Sequence, residues 1–247
     1  MITKRIIPSL FVRDGQLAGE EEFNGTLVQL AQAYSEGGAD ELLFYDLEAM
    51  GKEKKLLTEA LAKVAEKVFI PLTVGGGILS TADFEMVLAC GADKVSVNSG
   101  AIRNPALVGE AARKYGDQCV VVCVDVRCVN GEYLVFTQSG QKCTGWDAVE
   151  WISRCVGEGA GEIVVNSLDA EDKRSGFDLP LIEKVCARVG VPVIASGGGT
   201  CQSHFVDLFQ KIPVVDAALG SSAFHFGQVD INRLKAELAC NGINVRR

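Results

Sequence analysis

Glu36-Gly-Gly-Ala-Asp-Glu41-Leu-Leu-Phe-Tyr-Asp-Leu-Glu-Ala49 returns in altered form as Glu158-Gly-Ala-Gly-Glu162-Ile-Val-Val-Asn-Ser-Leu-Asp-Ala170, with Glu41 and Glu162 in register 121 positions apart (162 − 41). The same spacing carries Val74-Gly-Gly-Gly77 onto Ala195-Ser-Gly-Gly198. Ala92-Asp-Lys-Val-Ser-Val-Asn-Ser99 then answers Val215-Asp-Ala-Ala-Leu-Gly-Ser-Ser222 at 123 positions (222 − 99). An internal repeat of this length marks a chain built from two related halves. Around it, short β-branched runs alternate with longer amphipathic stretches, the pattern of βα units on a parallel sheet. The strand candidates are Arg5 to Val12, Glu41 to Asp46, Pro71 to Val74, Lys94 to Val97, Cys119 to Val126, Glu162 to Asn166, Pro192 to Ala195 and Ala217 to Gly220. Helix candidates include Leu56 to Val68, Pro105 to Tyr115, Leu179 to Val189 and Ile231 to Asn241. Four units repeated once close most simply into a (βα)8 TIM barrel with a twofold half-barrel repeat, expected as a single domain over residues 1–247. Asn130-Gly131, between Arg127 and Thr137, predicts a hairpin in the loop after the fifth strand.

Bulk properties narrow the function. A 48% apolar share and 27 glycines against 6 prolines describe a filled core with many tight turns. The net charge of −8 is spread without a basic stripe, which argues against a nucleic-acid surface. Nine cysteines include no CxxC pair, so neither a disulfide framework nor a metal site is expected. Met1 leads directly into Lys4, Arg5 and a strand-like run, and no apolar stretch approaches the length of a membrane span. A cytoplasmic protein that does not enter the membrane is the expectation.

In a barrel, the C-terminal ends of the strands and the loops that follow them build the active site. Glycines 75 to 77 follow the third strand and glycines 197 to 199 the seventh, where missing Cβ atoms let backbone N–H groups approach an anion. Asn98-Ser99 and Ser221-Ser222 add donors beside each run, with a short helix expected to start near Ser222. The plainer reading is that these glycines only turn the chain. Their pairing in both halves favours two phosphate cradles, Gly77/Asn98/Ser99 and Gly198/Ser221/Ser222, which suit a bis-phosphorylated small molecule. Chemistry then belongs between them. There the fifth strand ends in Val122-Cys-Val-Asp125, a carboxylate for general acid–base work, whereas the first ends in Ser9-Leu10-Phe11. His204 and His225 lie on helix-like stretches without a nucleophile or ligand companion, and Trp146 and Trp151 flank a helix start. All four are taken as structural.

Over nearly its whole length the chain resembles the cyclase subunits of imidazole glycerol phosphate synthase, a histidine-biosynthesis lyase that receives ammonia from a glutaminase subunit. The likeness rests on Lys4-Arg-Ile-Ile7, Val74-Gly-Gly-Gly-Ile78, Gly91-Ala-Asp-Lys-Val-Ser-Val-Asn98, Gly159-Ala-Gly-Glu162, Ser175-Gly-Phe-Asp178, Ala195-Ser-Gly-Gly198, Phe224-His-Phe226 and Gly242-Ile-Asn-Val-Arg246. The resemblance implies the two phosphate sites already named, no cofactor, and a heterodimer with a glutaminase. It also implies an aminoimidazole carboxamide ribotide precursor as substrate, cleaved to imidazole glycerol phosphate and a purine intermediate. It further implies an ammonia gate of Arg5, Glu41, Lys94 and Glu162 at the opposite face, with Asp93 beside it contacting the glutaminase. The plainer reading of those four charges is a plug, because charges in an apolar barrel persist only as a paired set.

The family's catalytic pair is an Asp at the end of each of strands one and five. Asp125 matches the second, and the first falls on Phe11, which can neither donate nor accept a proton. The family's Lys in the first loop falls on Gly19, in a segment from Gln16 to Asn24 that is rich in Glu, and its Asp-Gly pair after strand six falls on Glu171-Asp172. These changes predict a chain without useful orthodox cyclisation and with a weaker phosphate site beside Glu171 and Asp172. They leave open two alternatives, a divergent paralogue serving amidotransfer to a nucleotide sugar for surface polysaccharide, and a catalytically impaired scaffold that docks a glutaminase.

Overall fold

The structure, a computed structural model, describes residues 3–13, 16–18, 25–47 and 55–246. Eight parallel strands form its centre: β1 (Arg5–Arg13), β3 (Leu42–Asp46), β4 (Leu72–Gly75), β5 (Lys94–Val97), β6 (Val120–Val129), β9 (Glu162–Ser167), β10 (Val193–Ser196) and β11 (Ala217–Gly220). They pair in chain order from β1 through β3, β4, β5, β6, β9 and β10 to β11, and β11 closes on β1. Along β1, Arg5 to Pro8 pair with β11 while Ser9 to Val12 pair with β3. That displacement between its two edges is the stagger a closed, tilted barrel requires. Among the described residues, three further strands lie outside the ring. They are β2 (Gln16–Leu17), beside β1, and β7 (Glu132–Thr137) and β8 (Lys142–Asp147), which extend β6 into an antiparallel ribbon. Asn130 and Gly131 turn the expected hairpin with φ of 53° and 86°, the left-handed pair that a two-residue loop needs.

Helices follow the strands: α1 (Leu27–Glu36), α2 (Lys55–Ala65), α3 (Thr81–Ala89), α4 (Ser99–Arg103), α5 (Ala106–Tyr115), α6 (Ala148–Glu158), α7 (Leu168–Lys173), α8 (Leu179–Cys186), α9 (Gln202–Lys211), α10 (Ser222–His225) and α11 (Ile231–Cys240). Their starts are chemically marked. Thr26 and Ser80 close capping boxes, and Asp147, Asp178 and Asp230 accept backbone N–H groups at the starts of α6, α8 and α11. The period-2 alternation of strands divides the core in two. Ile6, Leu10, Phe44, Val122 and Val165 point outward and pack under the helices. Ile7, Leu43, Val121, Cys123, Val164, Ile194, Ala217 and Leu219 point inward and fill the barrel.

The twofold repeat is also geometric. Asn98 and Ser221 adopt nearly the same uncommon backbone conformation, φ/ψ of −128°/−89° and −119°/−84°, before the short helices α4 and α10. Asp93 and Asp216 each accept the N–H that opens the preceding strand, from Leu72 at 2.8 Å and Val193 at 2.9 Å.

Candidate functional site

Reading inward-facing positions up each strand gives the site in layers, because alternate residues share a face. β1 offers Arg5, Ile7, Ser9 and Phe11; β6 offers Val121, Cys123 and Asp125; β9 offers Glu162, Val164 and Asn166. The lowest layer is ionic, the middle apolar, and the uppermost opens into a cavity of about 490 Å³ at the C-terminal ends of the strands. Phe11, Tyr45, Asp46, Asp125, Asn166 and Glu171 line it, together with both glycine loops.

All six residues expected to hold phosphate, Gly77, Asn98, Ser99, Gly198, Ser221 and Ser222, border this cavity. The glycines are required by close approach. A Cβ on Gly76 would lie 2.1 Å from the Asp46 carbonyl oxygen, and one on Gly197 would lie 2.4 Å from that of Ser167. Both have positive φ, 102° and 92°, and the two contacts are equivalent across the repeat. On one side the ribbon leans in, where Thr137 and Ser99 share a 2.6 Å hydroxyl hydrogen bond and Gln138 and Ser139 reach the cavity wall.

Asp125 stands between the loops. It accepts one hydrogen bond from the Asn98 amide and one from the Asn166 amide, each 2.9 Å. The Ser196 hydroxyl donates at 2.9 Å to the carbonyl oxygen of Asn166, which fixes which end of that amide faces Asp125. Burial raises the Asp125 pKa above the ordinary aspartate range, while the amides of Asn166 and Asn98 pull it back. Burial raises Glu171 as well, opposed by Asn166 and reinforced by the charges of Asp125 and Asp172. Below them the Tyr45 hydroxyl shares a 2.9 Å hydrogen bond with Ser96, and burial lifts both Tyr45 and Cys123 well above their usual values.

At the other end of the barrel, Arg5 and Lys94 each bond to both Glu41 and Glu162. Arg5 meets Glu41 at 2.8 Å, and Lys94 meets Glu41 and Glu162 at 2.9 and 2.8 Å, so the four side chains form an unbroken ring. Thr73 adds a 2.6 Å hydrogen bond to Glu41. Asp93 is exposed nearby.

One expectation changes. Asp172 does not join Glu171 at the second glycine loop. It turns outward to Arg127 at 2.9 Å, and Asp169 meets the same guanidinium at 3.2 Å, so of that pair only Glu171 lines the cavity. Sequence reasoning also missed Asn166, whose tie to Asp125 depends on neighbouring strands, and Arg174, which lines the cavity beside Gly198. Gly19, Asp14 and most of the segment from Gln16 to Asn24 lie outside the described residues. His204 and His225 sit on α9 and α10, Trp151 is buried, and Trp146 packs edge-on against it at 5.1 Å. Among the described residues no group of His, Cys, Asp and Glu could hold a metal ion, and no helix is long and apolar enough to cross a membrane.

Residues 5–230 match the sequence model of the family described as "Histidine biosynthesis protein". The chain is also 44% identical over 252 aligned residues to the imidazole glycerol phosphate synthase subunit HisF of Bacillus cereus (strain G9842), with 100% of both proteins covered.

Proposed function

The chain belongs to the histidine biosynthesis protein family, and on that premise we propose how its barrel works as the cyclase subunit of imidazole glycerol phosphate synthase. A bis-phosphorylated precursor spans the cavity, one phosphate at Gly77, Asn98 and Ser99 and the other at Gly198, Ser221 and Ser222. Backbone N–H groups at the glycine turns and the short-helix starts bind anions without needing a basic surface. This fits a chain whose net charge is −8. Asp125, midway between the cradles, moves a proton as the ring closes. The observation that carries this reading is the pairing of two symmetry-related loops around a single amide-held carboxylate.

Ammonia enters from the ring of Arg5, Glu41, Lys94 and Glu162, delivered by a glutaminase docked on that face in a heterodimer. Two exposed apolar side chains support a docking surface there, Phe69 and Val214, in the loops leading into β4 and β11. The whole chain acts as one domain in the cytoplasm, a setting consistent with nine unpaired cysteines. Full-length likeness to a HisF subunit favours the cyclase over the nucleotide-sugar paralogue and the inert scaffold. The direct test is an ammonia-dependent cyclase assay of the purified chain beside Asp125→Asn. Turnover abolished by that substitution is the expected result, and a native chain that binds precursor without converting it would reject the reading.

A further inference from the structure

Addition of ammonia to a carbonyl carbon needs two proton movements, one onto the oxygen and one away from the nitrogen. A single carboxyl group serves only one of them at a time. Among the described residues lining the cavity, the carboxyl groups are Asp46, Asp125 and Glu171. To this lining β1 contributes Ser9 and Phe11, the latter stacked on Tyr45. Resting on the cyclase reading above, we propose that Glu171 is the second catalytic residue of the cavity, the general acid opposite the Asp125 carboxylate.

Three observations converge on Glu171. It sits in the first turn of α7, whose start is fixed by the Ser167 hydroxyl and whose end turns through Arg174 in a left-handed conformation, so its place at the rim is set by the chain. It interacts with Asn166, the residue whose amide also holds Asp125 and whose oxygen is committed to Ser196. One side chain thus links both carboxyl groups. Finally, the surroundings divide the roles. Burial raises both groups; the two amide hydrogens on Asp125 favour its charged form, while the charges of Asp125 and Asp172 add to the rise at Glu171 against the pull of Asn166. The other groups facing Glu171 are Cys123 and Arg127 on β6 and Asp172 on its own helix, and Arg174 lines the same cavity. Arg127 is already engaged by Asp169 and Asp172, which weakens its pull on Glu171.

The step balances within the pair. The nitrogen lone pair forms the C–N bond, the carbonyl π pair moves onto oxygen, and that oxygen takes the Glu171 proton. The surplus proton on nitrogen passes to Asp125, giving a neutral carbinolamine, a Glu171 carboxylate and a protonated Asp125. Solvent at the exposed rim returns a proton to Glu171 and takes up the one held by Asp125, so both groups regain their starting forms.

The test measures ammonia-dependent turnover of the full chain against pH for the native protein, Glu171→Gln, Glu171→Asp, Asp125→Asn, Asp46→Asn and Asp172→Asn. Glu171→Gln is expected to lower kcat about 10²- to 10⁴-fold with KM little changed, and to remove the alkaline limb of the kcat/KM profile. Asp125→Asn should abolish turnover. Glu171→Asp should restore the alkaline limb at reduced turnover, and Asp172→Asn should keep native kcat while moving that limb to lower pH, because it removes a charge that raises Glu171 and frees Arg127 to oppose it. A Glu171→Gln enzyme that keeps its alkaline limb and native kcat, or an alkaline limb lost in Asp46→Asn instead, overturns the assignment and leaves the cyclase reading standing. A native chain without turnover overturns both.

Discussion

The Phe11 ring lies stacked on Tyr45, with centroids 6.0 Å apart and planes 11° from parallel, so the end of β1 closes one side of the cavity with an apolar wall. Tyr45 is held in turn by Ser96, and there is no room for it to shift toward β4, where even a Cβ on Gly75 would lie 2.4 Å from its ring. Phe11→Asp returns a titratable group to this wall at the cost of the stacking contact. With Glu171 supplying the second proton-transferring group, it is expected to leave ammonia-dependent turnover at or below the native rate, whereas restoring a missing general acid or base would be worth on the order of 10²-fold. A steady-state assay decides it, and a gain of that size would show that the second group is missing from the first strand and is not supplied by Glu171.

The glycine loops should be intolerant of any side chain. Gly76→Ala and Gly197→Ala each force a Cβ into a backbone carbonyl at positive φ. Overpacking and left-handed strain together predict a loss of roughly 2–4 kcal/mol apiece. Urea unfolding measures this, and the repeat predicts similar values for the two. If one were tolerated, the symmetry of the loops would be only apparent.

Removing different corners of the ionic ring should have unequal effects. Lys94→Met leaves both glutamates bonded to Arg5 and Glu41 bonded to Thr73, so a modest cost of about 1–3 kcal/mol is expected. Glu41→Ala leaves two cations on one carboxylate and the Thr73 hydroxyl without its acceptor, for about 3–5 kcal/mol. Co-purification with a glutaminase from the same genome, followed by glutamine-dependent turnover, reads out function. Lys94→Met should still bind its partner but transfer ammonia differently; unchanged transfer would favour a simple plug.

His225 makes stability pH-dependent. Burial depresses its pKa to about 4, against a weaker opposing pull from the Ser9 backbone, and Tyr34 bonds its Nδ1. The folded state therefore resists protonation that the unfolded chain accepts near pH 6.5. Stability from this residue is complete above that pH and is lost as pH falls toward 4, by roughly 1–3 kcal/mol. Thermal melts across this window should show the decline, and His225→Gln should flatten it. An equal slope in the variant would assign the effect to other groups.

Much of the fold could be read from residue order. Lys94–Val97 and Ala217–Gly220 fall where the sequence sets them, because β-branched or small apolar residues there end abruptly at polar ones. α2 stops at Ala65 rather than Val68, and α8 at Cys186 rather than Val189, since amphipathic periodicity continues past the last helical residue. β8 was not anticipated: Lys142 to Asp147 is a largely exposed ribbon strand with no buried face to impose alternation. The cavity residues contributed by strand ends were legible through period-2 spacing. Asn166 was not, because its importance comes from Asp125, 41 positions away, and Ser196, 30 away. The outward turn of Asp172 was hidden for a similar reason, as Arg127 lies 45 positions back.

The ring of Arg5, Glu41, Lys94 and Glu162 is, electrically, a quadrupole. Two positive and two negative corners alternate round a closed circuit, so the arrangement has no monopole and its opposed dipoles largely cancel. Its field decays far more steeply than that of a lone ion, for which the interaction falls only as the inverse of distance. A charged solute near the barrel floor is neither summoned nor repelled until it touches a corner, where it meets a full ionic contact. A small neutral molecule meets no long-range barrier at all.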